Sequence, residues 1–109
     1  MKISVLIPTY RNADTVVATV ESVLAQRRTP HEIIVLLDGV ADDTPHLLAP
    51  YADRIRIVQQ ENAGVAQARN RLVAEARGEM LAFLDADDLW HPDTLLAQEM
   101  ALRMAPTAG

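Results

Sequence analysis

Cysteine is missing from the 109 residues of this chain. That excludes a disulfide framework and a thiolate metal site, and it fits a cytosolic protein. Glycine, with four residues, and proline, with six, are few, while half of the residues are hydrophobic. Nothing reads as a linker or a repeat, and the length suits one ordered domain with one core. Positive charge is also short: 10 Lys and Arg stand against 15 Asp and Glu, a net charge of −5. A nucleic-acid-binding face needs clustered Lys and Arg, so no nucleic-acid partner is expected. The small basic spots at Arg27-Arg28 and at Arg54 and Arg56 read as solvated surface. Long hydrophobic runs are missing too. The apolar runs are about five residues long against the roughly twenty needed to span a bilayer, and Met1-Lys2 leads straight into a strand without a secretory apolar region. The expectation is a soluble, cytoplasmic chain, with peripheral attachment to the inner face of a membrane in a full-length protein.

What the sequence does have is a concentration of acid. Phe83-Leu84-Asp85-Ala86-Asp87-Asp88 is an apolar run that ends abruptly in three carboxylates. Crowded carboxylates repel one another unless a cation offsets the repulsion, and a divalent ion supplies that charge compactly. Oxygen-only ligands in an Asp-x-Asp spacing suit Mg²⁺ or Mn²⁺, which takes one or two carboxylates and fills its other positions with water and substrate phosphates. A plainer reading stands beside it: acidic residues after a strand favour turns and complement a helix N-terminus.

Ile3-Ser4-Val5-Leu6-Ile7, stopped by Pro8, reads as a strand buried on both faces, hence part of a parallel sheet. Asn12 or Asp14 is placed to cap a helix whose apolar positions Val16, Val17, Val20, Val23 and Leu24 recur at helical spacing through about Gln26, with Arg27 to Pro30 as the return loop. Glu32 to Leu37 is a second apolar strand ending at Asp38-Gly39. Past Asp42-Asp43, Thr44-Pro45 looks like a cap followed by proline at the first helical position, opening a short helix to about Pro50. Arg54-Ile55-Arg56-Ile57-Val58 alternates like an edge strand. Gly64 to Arg77 is helical in composition, with Val65, Ala68, Leu72, Val73 and Ala76 on one side and Gly78 as its stop. Met80 to Leu84 forms the fourth strand and delivers the Asp cluster. His91-Pro92-Asp93 starts a last helix through about Met104, and residues 105–109 read as a frayed tail.

Strand and helix alternate four times, which selects an α/β fold with an open, mostly parallel sheet and right-handed crossovers. Ligands of such sheets bind beyond the C-terminal strand ends, where the strand order reverses. With the order 3-2-1-4, the segments Pro8-Thr9-Tyr10, Asp38-Gly39 and Asp85-Ala86-Asp87 converge at that point.

The opening SVLIPTYRN, the strand ending EIIVLLDG with DDT after it, the segment ENAGVAQARN, and GEMLAFLDADDLWHPDTL together resemble the N-terminal half of a family 2 glycosyltransferase of GT-A fold. The resemblance runs over practically the whole chain. It implies a Rossmann-like nucleotide-sugar-binding half at 1–104 and transfer of a sugar from a nucleotide diphosphate sugar, with UDP favoured, to an acceptor hydroxyl, usually with inversion. It implies further that Pro8, Thr9 and Tyr10 help form the base pocket, and that Asp38 hydrogen-bonds base or ribose. Gly64 and Arg69 would belong to the segment that closes over the nucleotide. Asp85 would face the ribose or a metal water, and Asp87 would ligate Mg²⁺ or Mn²⁺ bridging the two phosphates. The family often has two acids in succession where this chain has Leu37-Asp38, so only the second carries over. The acceptor, a saccharide or lipid-linked saccharide of the kind used in cell-surface polysaccharide synthesis, cannot be read from this half.

Other readings stay open for single residues. Tyr10 could be core, Asp38-Gly39 only a turn, and Arg69 could face solvent or pair with Glu75. Asp88 and Asp93 read as helix-start residues, Trp90 as packing, and His31, His46 and His91 as surface. The general base of the family lies beyond the Asp-x-Asp, in the acceptor half, so no catalytic residue is assigned. The chain is expected to be a fragment of a longer transferase, inactive alone, with an exposed sheet edge inviting homodimerisation. Two rivals remain. A non-catalytic nucleotide-binding module would keep the fold, and a phosphotransferase of the haloacid dehalogenase type would need its Asp-x-Asp after the first strand, where this chain has Pro8-Thr9-Tyr10.

Overall fold

A computed structural model describes residues 1–39 and 42–104; the frayed tail expected at 105–109 lies outside them. The elements are β1 (Ile3–Thr9), α1 (Val16–Leu24), β2 (Glu32–Asp38), α2 (Thr44–Leu48, continued by a 3₁₀ turn Ala49–Tyr51), β3 (Arg56–Gln60), α3 (Val65–Glu75), β4 (Met80–Phe83) and α4 (Thr94–Met104). All strand pairs are parallel and the order is β3-β2-β1-β4, as the alternation of strand and helix implied.

Alternation along β1 and β2 builds two apolar layers. Ile3, Val5 and Ile7 of β1 and Ile33, Val35 and Leu37 of β2 share one core with Val16, Val20 and Val23 of α1, Leu48 of α2 and Leu95 of α4. Leu6, Ile34, Leu36 and Val58 point the other way, onto Ala68 and Leu72 of α3. Helices therefore cover both sheet faces, which is why the two central strands are almost continuously apolar. Fully buried side chains of this size each contribute roughly 1.5–3 kcal/mol.

Several local expectations are corrected. β3 starts two residues late, because the N–H groups of Arg54 and Ile55 are already used by the Tyr51 carbonyl, at 2.8 and 3.0 Å, and β2 pairing begins at Arg56. Neither Asn12 nor Asp14 caps α1 through its side chain; the Asn12 carbonyl takes the Thr15 and Val16 N–H groups at 3.0 and 2.9 Å. Asp43 occupies the cap position of α2, so Thr44 is the first helical residue and Pro45 the second. Along α3 only Ala68 and Leu72 are buried, while Val65 and Val73 are exposed. Gly78 is not the stop of α3, which ends at Glu75. A Cβ at Gly78 would lie 2.6 Å from Ser4 Oγ, 2.8 Å from Ser4 N and 2.9 Å from the Lys2 carbonyl, so close backbone approach is what requires glycine there.

Two of the four basic residues are not solvated surface. Arg28 grips Glu99 with Nε and a terminal nitrogen, at 3.0 and 2.9 Å, and Arg56 joins Glu75 at 2.9 Å and Glu32 at 3.5 Å. Arg27 stays exposed against Asp93, and Arg54 lies over the Tyr51 ring. His31, His46 and His91 are exposed, and Trp90 is half-buried against the core. No helix among the described residues is long and apolar enough to cross a membrane.

Candidate functional site

At the C-terminal edge of the sheet the strands are staggered. β1 runs on to Thr9, paired with Leu37, whereas β4 leaves its ladder at Phe83 opposite Leu6. The Leu84 N–H still reaches the Leu6 carbonyl at 3.0 Å, and the chain then departs. The residues after Leu84 thus pass alongside the end of β1, at the place where successive strands diverge to opposite sides.

A cleft of about 260 Å³ opens there. Pro8, Thr9 and Tyr10 line it from the end of β1, Asp38 from β2, Ala68 and Arg69 from α3, and Asp85 and Asp87 from the segment after β4. Tyr10 is 45% exposed, which excludes the core reading for its ring; the Arg11 guanidinium lies 5.3 Å above it. Arg11 itself holds φ at +54°, a left-handed conformation rare outside glycine.

Asp38 is 4% exposed and does more than end a turn. Its Oδ1 accepts from Gln60 Nε2 at 3.1 Å and from the Ala63 N–H at 2.9 Å, and Oδ2 accepts from the Gly64 N–H at 3.1 Å. Burial pushes its pKa up, but the three donors outweigh burial and hold it below the ordinary carboxylate value. Gly64, exposed and with φ at +92°, holds Asp38 through its N–H and turns the chain into α3.

Arg69 does not pair with Glu75, which is occupied by Arg56 and Arg71. Its guanidinium lies 4.9 Å over the Phe83 ring and 3.9 Å from Asp85 Oδ1, at the cleft mouth. Both partners of that ion pair are about half exposed, so the contact is weak and easily exchanged.

The Asp88 N–H closes a turn onto the Asp85 carbonyl at 3.0 Å. Ala86 is 3% exposed and packs inward, leaving its neighbours outward. The turn gathers Asp85, Asp87 and Asp88 so that one carboxylate oxygen of each lies within 4.8 Å of the others, all three exposed. The donor set is hard oxygen throughout and open to water and phosphate, which fits Mg²⁺ or Mn²⁺.

Three site features escaped the sequence reading. Asn12, expected as a cap, lines the cleft while its Oδ1 takes the Tyr10 N–H at 3.0 Å. Val65, grouped with Ala68 and Leu72 on one helix side, is 71% exposed and lines the cleft; its place directly after Gly64 was the available signal. Asp88, counted in the acid cluster but assigned to a helix start rather than to an ion, stays beside Asp85 and Asp87 because α4 begins six residues later, at Thr94.

The family model for glycosyl transferase family 2 matches residues 4–104. The chain belongs to this family. A family relative, the succinoglycan biosynthesis protein ExoO of Rhizobium meliloti, is 40% identical over 95 residues, covering 85% of this chain and 27% of the relative. Among solved structures, S. aureus TarS 1–349 in complex with UDP-GlcNAc superposes with a TM-score of 0.84 at 28% identity, covering 94% of this chain and 31% of that one. The mannosyltransferase PcManGT of Pyrobaculum calidifontis, in complex with GDP-Man and Mn²⁺, gives 0.84 at 29% identity, covering 99% and 34%. The GT-A architecture of family 2 is thus the architecture of this chain. The chain spans well under half the length of the curated relatives it matches, from 14% of one to 40% of another.

Proposed function

We propose that this chain is the nucleotide-sugar-binding part, 1–104, of an enzyme that transfers a sugar from a UDP-sugar to an acceptor hydroxyl with inversion. The observation that carries the proposal is one cleft, at the strand-order switch, that joins an exposed aromatic ring at Tyr10, a buried ionised acid at Asp38 and a carboxylate cluster at Asp85 and Asp87. Pro8, Thr9 and Tyr10 supply a flat apolar surface for the base. Asp38 has an acceptor site left beyond its three internal donors to hold base or ribose. Arg69 is placed to exchange the weak Asp85 contact for a phosphate oxygen. Gly64 acts through Asp38.

Asp87, with Asp85, would hold Mg²⁺ or Mn²⁺. Bound there, the ion would neutralise charge on the departing diphosphate as a Lewis acid. The residues of this chain orient the donor; no residue of the cleft is assigned as the base that deprotonates the acceptor. The printed names of relatives support a saccharide or lipid-linked saccharide acceptor, as in polysaccharide synthesis. Among the described residues β4 has a partner strand on one side only, and a second copy related by a two-fold axis supplies an antiparallel partner for that edge.

Calorimetric titration of UDP and of GDP, with and without Mn²⁺, tests the reading. UDP should bind with Mn²⁺ present, and Asp87→Ala should abolish that binding. Tighter binding of GDP overturns the choice of base, and metal-dependent binding that survives Asp87→Ala overturns the metal assignment.

A further inference from the structure

Between β4 and α4 the backbone forms neither helix nor strand, yet it is clamped against a polar stripe of α1 and its flanks. Thr15, Thr19, Ser22 and Gln26 recur at steps of four, three and four, which stacks them on one helical face. Thr15 Oγ1 donates to the Ala86 carbonyl at 2.8 Å. Thr19 Oγ1 lies 2.9 Å from that carbonyl and 2.7 Å from the Asp88 carbonyl. Ser22 Oγ accepts the Trp90 N–H at 3.2 Å, and Gln26 donates to the His91 carbonyl at 2.7 Å while accepting the Leu95 N–H at 3.0 Å.

Thr19 is fully buried, and its hydroxyl has one hydrogen for two carbonyls. Because Thr15 already donates to Ala86, the Thr19 hydrogen is available to the nearer carbonyl, that of Asp88. The two carbonyls stand on either side of Asp87. Among the described residues no side-chain hydrogen bond restrains the carboxylates of Asp85, Asp87 and Asp88, so their spacing is set by the backbone beneath them.

We propose that Thr15 and Thr19 are positioning residues of the divalent-cation site: their hydroxyls fix the Ala86–Asp87 and Asp88–Leu89 peptide groups, on either side of the Asp87-Asp88 pair, and so hold three mutually repelling carboxylates within reach of one ion. The proposal rests on the reading of Asp85 and Asp87 as the metal site. Nothing in the α1 pattern alone distinguishes these threonines from ordinary helix residues; the contacts to Ala86 and Asp88 do.

The test is Mn²⁺ titration of the chain in the presence of UDP, with bound Mn²⁺ read by electron paramagnetic resonance and thermal unfolding measured alongside. T19V keeps the shape and removes the hydroxyl; its Mn²⁺ dissociation constant should rise about tenfold or more, the usual consequence of losing a group that orients a metal ligand. T19S should restore affinity. V23A, buried in the core on the same helix but with no side-chain hydrogen bond to the segment, should lower the melting temperature without moving Mn²⁺ affinity. If T19V does not fold, T15V against T15S carries the same comparison. Wild-type Mn²⁺ affinity in the hydroxyl-deleted variant, with D87A abolishing binding, overturns the proposal and leaves the metal site standing. So does an affinity loss in V23A as large as that in T19V. No Mn²⁺ binding by the wild type overturns the site reading and the proposal together.

Discussion

Asp38 shows how one residue that lines the cleft is also built into the fold. Three internal donors make its ionised form part of the fold, and they hold its pKa below the ordinary value of 3.8 although burial opposes them. A depressed folded pKa means that the stabilisation is fully present above the unfolded value and is lost as pH falls through the folded one. Asp38→Asn should therefore lower stability at pH 7 and flatten the loss of stability below about pH 4, read by urea unfolding across an acid series. Asp38→Ala leaves the Ala63 and Gly64 N–H groups unpaired and should cost about 3 kcal/mol. Arg69 lies at the other extreme. Half exposed and weakly paired, Arg69→Ala should leave the melting temperature where it was while weakening UDP binding in the calorimeter.

At the scale of elements, the close approach of the α3–β4 connection to the start of β1 depends on Gly78. Its N–H donates to Ser4 Oγ at 2.8 Å, and Ser4 Oγ in turn donates to Glu32 Oε2 at 2.6 Å. A methyl group added there meets backbone atoms that cannot yield, so Gly78→Ala should destabilise by about 1–3 kcal/mol in denaturant unfolding, with no change in nucleotide base preference. α4 is held by Leu95, fully buried, and by the Arg28–Glu99 pair. Leu95→Ala should cost about 3 kcal/mol by leaving a cavity under α4.

For the molecule as a whole, the sheet of the described residues has β3 and β4 as its edges. β4 is four residues long and exposes Leu81, and α4 exposes Met100 and Leu102. Self-association through β4 should appear as a concentration-dependent mass in solution scattering, and Leu81→Lys should abolish it. A mass that stays monomeric at high concentration overturns the pairing.

The sequence by itself determined the order of strands and helices, the parallel sheet and the acid cluster at a strand end. These depend on local apolar periodicity and on chain connectivity, and both are written along the chain. It also set Tyr10, Asp38, Asp85 and Asp87 at one sheet edge, and one cleft there is lined by all four. Tertiary structure alone decided which partner each side chain takes. That Asp38 binds Gly64, that Arg69 faces Asp85 rather than Glu75, and that Gly78 yields to Ser4 are contacts between residues far apart in sequence. The same holds for Arg28 and Arg56, whose acids come from distant elements, and for Thr15 and Thr19, whose hydroxyls meet a segment about seventy residues away. No local pattern encodes such pairings, because they arise only when packing brings separate elements to a common distance.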